Sequence, residues 1–136
     1  MNKSAHIVLE DDGHCFVCGM NNQYGLKLSW ELNRNTTTAR FTAEKRFQGY
    51  ANILHGGITA ALLDEAMTRL VWQKYGNAVS AEMSIRYIKP IYIGDTLEIM
   101  GEIIDKKKNL VYTRGIIKTK SEEIAAKATG RSIIID

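Results

Sequence analysis

The chain has 136 residues, enough to bury one good core and too few for a cofactor domain beside a substrate domain. Hydrophobic residues make up 45% and charged residues 24%, and one Pro with 11 Gly excludes a linker-rich or disordered chain. The formal charge of +3 is spread along the sequence, too weak a bias for nucleic acid but compatible with a small polyanion. No window approaches the ~18 apolar residues of a membrane span, and Met1 to Asp12 has no apolar core of a secretory signal. The expectation is a single cytoplasmic domain over 1–136, without membrane or nucleic-acid partners and with reduced thiols.

Residues 1–25 read as irregular, punctuated by Gly13, Gly19, Asn21, Asn22 and Gly25. Leu26, Leu28, Trp30 and Leu32 then alternate with Lys27, Ser29 and Glu31, the period of a half-buried strand. Asn33 to Asn35 predict a turn, and the β-branched run Thr36 to Thr42 predicts its partner strand.

The period changes at Ile58. Nine of the fourteen residues to Val71 are apolar, and the polar ones cluster largely on one stripe at helical spacing. This predicts a helix to about Tyr75, ended by Gly76-Asn77. Beyond it, Ala81, Met83, Ile85 and Tyr87 alternate as a strand that Pro90 ends. Gly94-Asp95 is a turn before a strand over Thr96 to Ile104. Lys106-Lys107-Lys108 reads as a solvated hairpin turn, with an anion-binding role as the alternative. Strands over Leu110 to Thr119 and Ile124 to Ile135 complete an α+β chain, one antiparallel sheet wrapped around one long hydrophobic helix.

The chemistry concentrates at the start of that helix. His55-Gly56-Gly57 places two glycines where a ligand can approach closely. The first-turn N–H groups there lack intrahelical partners and sit at the positive end of the helix dipole, so they can stabilise an oxyanion. Without a ligand, the same residues make a tight loop-to-helix turn. Asp64 lies on a mostly apolar helix with no cation within a turn, whereas Glu65 has Arg69 at i+4 and reads as a surface ion pair. Cys15-x-x-Cys18, with His14 beside it, has no second pair of ligands for zinc. Only an unusual arrangement with His6 and His14 would complete one, so the expectation is a packed structural element and no metal.

The run from Gln48 to Met67 resembles the signature of hotdog-fold acyl-CoA thioesterases of the phenylacetyl-CoA thioesterase and thioesterase superfamily member type. Cys15-Phe16-Val17-Cys18-Gly19 with Gly25-Leu26 resembles an amino-terminal element of one branch. Val79 to Pro90 with Gly94-Asp95 resembles the strand and turn after the helix.

The resemblance implies the hotdog fold and hydrolysis of acyl-CoA to free acid and CoA, without metal or organic cofactor. Asp64, nine residues after His55, would be general base or nucleophile. The Gly56 N–H would polarise the thioester carbonyl, Ser80 would orient the attacking water, and His55 would mainly position the turn. Gly57, Asn52 and Gln48 are candidate substrate-binding residues, and Arg86 and Lys89 are candidates for the CoA phosphates. Relatives carry Asn or Gln some six residues before the His. Position 49 is Gly here, and Gln48 or Asn52 are its possible substitutes. The resemblance also implies a site shared by two subunits, hence a homodimer or a multiple such as a homotetramer. A non-catalytic acyl-CoA-binding module and an enoyl-CoA hydratase or dehydratase are the rival functions.

Overall fold

The computed structural model describes residues 8–135; His6 lies outside them. Six strands form one antiparallel sheet in the order β1-β2-β4-β5-β6-β3. Their ranges are β1 Glu31–Leu32, β2 Thr36–Thr42, β3 Ala78–Tyr87, β4 Thr96–Lys107, β5 Leu110–Lys118 and β6 Ile124–Ile134. Among the described residues a single long helix, α1 Gly56–Tyr75, follows β2 and precedes β3 along the chain and packs on the sheet, preceded by a short 3-10 turn at Lys45–Phe47.

α1 is buried along most of its length because its apolar residues occupy most of its circumference. Leu62, Leu63, Met67, Leu70 and Val71 are at most 2% exposed, each contributing about 1.5–3 kcal/mol of apolar burial. The sheet receives the helix on a floor of small residues: Gly101 of β4 lies opposite Gly115 of β5, which lies opposite Ala128 of β6. At Gly101 a side chain has no room, since a Cβ there would stand 2.2 Å from the Ala66 carbonyl oxygen. The buried Thr37 hydroxyl donates to that same oxygen at 2.7 Å, fixing the helix against β2. No helix among the described residues is long and apolar enough to cross a membrane.

Three sequence expectations need correction. Leu26 to Trp30 joins no ladder, and only Glu31–Leu32 pairs with β2. The alternation there reflects burial of Leu26 and Leu28, whose N–H groups bond instead to Phe16 and Val17, while Lys27 adopts a positive φ of 55°. Second, Lys106 and Lys107 belong to β4, so the hairpin turn falls at Lys108-Asn109. Third, Ala81 does not share the inward face of Met83 and Ile85. A bulge between Ser80 and Glu82 inserts an extra residue, leaves Ala81 exposed and turns Ser80 toward the helix, as bulges re-aim side chains.

Candidate active site

The helix starts two residues earlier than its apolar period suggests, because His55 caps it. The His55 backbone is extended (φ −61°, ψ 133°), and its Nδ1 accepts the Gly57 N–H at 2.8 Å. This is the role of an N-cap side chain, and it leaves the ring proton on Nε2. The His55 carbonyl accepts the N–H groups of Ile58 and Thr59. Of the first-turn donors, the exposed Gly56 N–H has no acceptor among the described residues. It therefore points an unpaired donor outward at the positive end of a 20-residue helix, the feature that favours bound negative charge.

The approach to Gly56 is shaped on both sides. Tyr87, at the end of β3, donates its hydroxyl to the Gly56 carbonyl at 3.0 Å, and its ring borders the space where a Gly56 side chain would sit. A cleft of about 230 Å³ on this side is lined by Ile53, Thr59, Tyr87, Ile88 and Pro90. On the other side a cleft of about 630 Å³ is lined by Phe16, Tyr24, Phe47, Gln48, His55 and Ile58. Sequence reading missed Tyr87, because nothing local to a strand end reveals which helix terminus it will meet.

Asp64 lies about two turns further along α1, half-buried. Its Oδ1 accepts the Ser80 hydroxyl at 2.7 Å, and its Oδ2 has no donor among the described residues. Ser80 thus contacts the carboxylate itself, where the resemblance implies a water-orienting role. Thr68 bonds only the Asp64 backbone carbonyl, at 2.8 Å.

Asp64 and Gly56 do not meet within one chain. Eight helical steps separate them, roughly 12 Å along the axis, well beyond the reach of one carbonyl carbon and its oxygen.

The remaining predicted residues divide. Gln48 Oε1 accepts the Asn52 N–H at 3.0 Å, and Asn52 takes a positive φ of 68°. Both shape the loop before the helix, and Gln48 also lines the larger cleft. Position 49 packs directly on the cap: a Cβ at Gly49 would lie 3.3 Å from the His55 Cα, so a side chain there would crowd the turn. Arg86 is exposed and has no ion-pair partner among the described residues. Lys89 is paired with Glu123, and this cation holds the exposed Glu123 carboxyl below its ordinary value.

On the other side of α1, Glu65 pairs with Arg69 (3.6 Å) as its spacing suggests. Both also reach the amino-terminal segment. Arg69 donates to the Cys18 sulfur at 3.2 Å, and the Cys15 thiol approaches Glu65 at 3.9 Å. Burial, reinforced by the Glu65 carboxylate, pushes the Cys18 thiol above its ordinary value.

Comparison with known proteins agrees with this architecture. The thioesterase superfamily profile matches residues 51–126, from the loop before α1 into β6. Human acyl-coenzyme A thioesterase 13 is 33% identical over 82 residues, 59% of this chain and 54% of that protein; the chain spans about half the length of the curated relatives it matches. Zebrafish thioesterase superfamily member 2 shares the fold with a TM-score of 0.76 at 19% identity, over 88% of this chain and 92% of that one. A hypothetical thioesterase protein from Streptococcus pneumoniae, solved with coenzyme A, gives 0.75 at 19% identity, over 79% of this chain and 84% of that one. The helix wrapped by one antiparallel sheet is the hotdog fold, and the chain belongs to the thioesterase superfamily.

Proposed function

We propose that the protein hydrolyses acyl-CoA thioesters at sites built by two copies of the chain, Asp64 from one facing the Gly56 N–H of the other. The observation that carries this reading is the unpaired Gly56 N–H on the same chain as a Ser80-oriented carboxylate that cannot reach it. Pairing of the β3 edges resolves the separation. β3 is a ten-residue strand at the end of the sheet order, with Val79 and Tyr87 exposed, and such an edge is a template for a second strand. Antiparallel self-pairing centred on Ser84, with Ala81 as the extra bulged residue, keeps like faces together and sets Ser80 opposite the partner's Tyr87. Asp64 bonds Ser80 and Gly56 bonds Tyr87, so that register brings Asp64 of one protomer toward the partner's Gly56.

The chemistry follows from these groups. The thioester carbonyl oxygen accepts the Gly56 N–H, which strengthens its hold as negative charge develops on that oxygen. Asp64 either takes a proton from a water that attacks the carbonyl carbon or attacks it directly, with a mixed anhydride then hydrolysed. The CoA thiolate is a competent leaving group, because thiols ionise near pH 8.5. The clefts on either side of Gly56 suit the acyl group and the pantetheine arm, and the exposed Arg86 suits a CoA phosphate. The coenzyme A held by the pneumococcal protein supports this substrate class.

The test is CoA thiol release from a panel of acyl-CoAs varied in length and aromaticity. Asp64→Asn keeps the side chain's shape and removes its basicity, so kcat is expected to fall by about two to four orders of magnitude. Binding of a non-hydrolysable analogue should survive. Tight analogue binding with no turnover of any panel member by the unaltered protein would make the chain an acyl-CoA-binding module instead.

A further inference from the structure

The amino-terminal Cys pair and the helix carboxylate beside Asp64 form a second cluster that the hydrolytic reaction does not use. Cys15 and Cys18 lie on the irregular segment before β1, and Glu65 lies on α1, fifty residues from Cys15. One donor atom from each, two sulfurs and a carboxylate oxygen, all fall within 4.8 Å of one another, and all three residues are half-buried. We propose that Cys15, Cys18 and Glu65 bind one zinc-class divalent cation, with a fourth coordination position open to the adjoining cleft.

The donor set selects the ion. Thiolates favour zinc over magnesium or calcium, and zinc accepts a carboxylate oxygen beside them. Tetrahedral bonds of about 2.3 Å set two sulfurs about 3.8 Å apart. No pair of donor atoms therefore needs to close by more than about 1–1.5 Å to bind the ion. Local backbone geometry already holds the two thiols together. Gly19 donates its N–H to the Cys15 carbonyl at 2.9 Å. A Cβ at Gly19 would stand 2.3 Å from the Cys15 nitrogen, so only glycine permits the turn that brings Cys18 back toward Cys15.

Charge also balances. Two thiolates and one carboxylate carry three negative charges; Arg69 offsets one and a divalent cation the other two. Arg69 already donates to Cys18 and pairs with Glu65, as outer residues that orient metal ligands do. The cleft beside the cluster, about 600 Å³ and bordered by Asp12, His14, Thr68 and Trp72, admits the ion and leaves room for a water ligand. A cation here would fasten the amino-terminal segment to α1 one residue from Asp64, while its ligands stay out of the reaction.

Reduced, chelator-stripped protein titrated with Co²⁺ and then Zn²⁺ tests the site. The expected result is one Co²⁺ per chain, a sulfur-to-cobalt charge-transfer band and the intense visible bands of tetrahedral cobalt, all displaced by Zn²⁺. The melting temperature should rise with Zn²⁺, because the ion binds the folded chain preferentially. Cys15→Ser or Cys18→Ser should abolish the full-strength band, and Glu65→Gln should weaken Co²⁺ binding at least about tenfold while sparing the sulfur band. Absence of the band in the unaltered protein would overturn the proposal. So would a full-strength band surviving either serine substitution, or Co²⁺ binding that Glu65→Gln leaves unchanged. Reduced protein that binds no cation but loses two hydrogens in mass on mild oxidation would make the pair a dithiol switch instead.

Discussion

Ser80 holds one oxygen of Asp64 and leaves the other without a donor among the described residues, so the carboxylate is oriented yet still open to water. A hydrogen bond to a charged group contributes about 1.5–3 kcal/mol, and its loss should show in turnover. Ser80→Ala is expected to lower kcat about tenfold, equivalent to ~1.4 kcal/mol, with a smaller change in KM. Ser80→Thr keeps the hydroxyl and should recover much of the loss; an alanine variant with unchanged kcat would remove Ser80 from the positioning role. Much at this scale was legible in the sequence. His55-Gly56-Gly57 and the spacing to Asp64 mark a helix start and a carboxylate on an apolar helix, and His55 proves to be the cap. Tyr87 and the Cys15–Cys18–Glu65 cluster were not legible. Their partners lie 31 and 50 residues away, and only the tertiary fold sets those distances.

Among the elements, α1 was the easiest to read because its residues repeat the helical period without interruption, and only the cap moved its start. Alternation of the kind seen over Leu26 to Leu32 reports burial rather than pairing. Leu26 and Leu28 are buried as the pattern requires, yet their backbone bonds go to Phe16 and Val17. Alternation also cannot register a bulge, and the bulge at Ser80/Glu82 turns the site serine toward the helix.

The helix–sheet contact makes its own prediction. Gly101→Ala places a methyl 2.2 Å from the Ala66 carbonyl oxygen, and helix backbone cannot rotate aside as a side chain can. Urea denaturation should show a loss of about 3 kcal/mol or more, at the upper end of overpacking costs. Gly94→Ala is the comparison: its surroundings are open but its φ is 100°, so only conformational strain of about 1–2 kcal/mol applies. Equal losses at the two positions would mean that the close approach of α1 to β4 is not what Gly101 serves.

For the whole molecule, the two halves of the proposed site never meet in one copy, and this can be tested without a structure of the assembly. Gly56→Pro removes the proposed oxyanion donor cleanly. Proline is favoured at the first helical position, the His55 ψ of 133° suits a residue before proline, and a Cβ at Gly56 meets Tyr87 only at ordinary contact distance, 3.5 Å. Asp64→Asn and Gly56→Pro should each abolish most turnover when assembled alone. When the two variants are unfolded and reassembled together, a mixed dimer carries one site with both lesions and one site with neither. Random pairing in a twofold dimer then restores about a quarter of the unaltered rate. The doubly substituted chain, Asp64→Asn with Gly56→Pro, mixed with either single variant should restore nothing, because every site then holds at least one lesion. Failure of the two single variants to complement, with mixed dimers demonstrated by mass, would place Asp64 and Gly56 in one chain's site and overturn the shared arrangement.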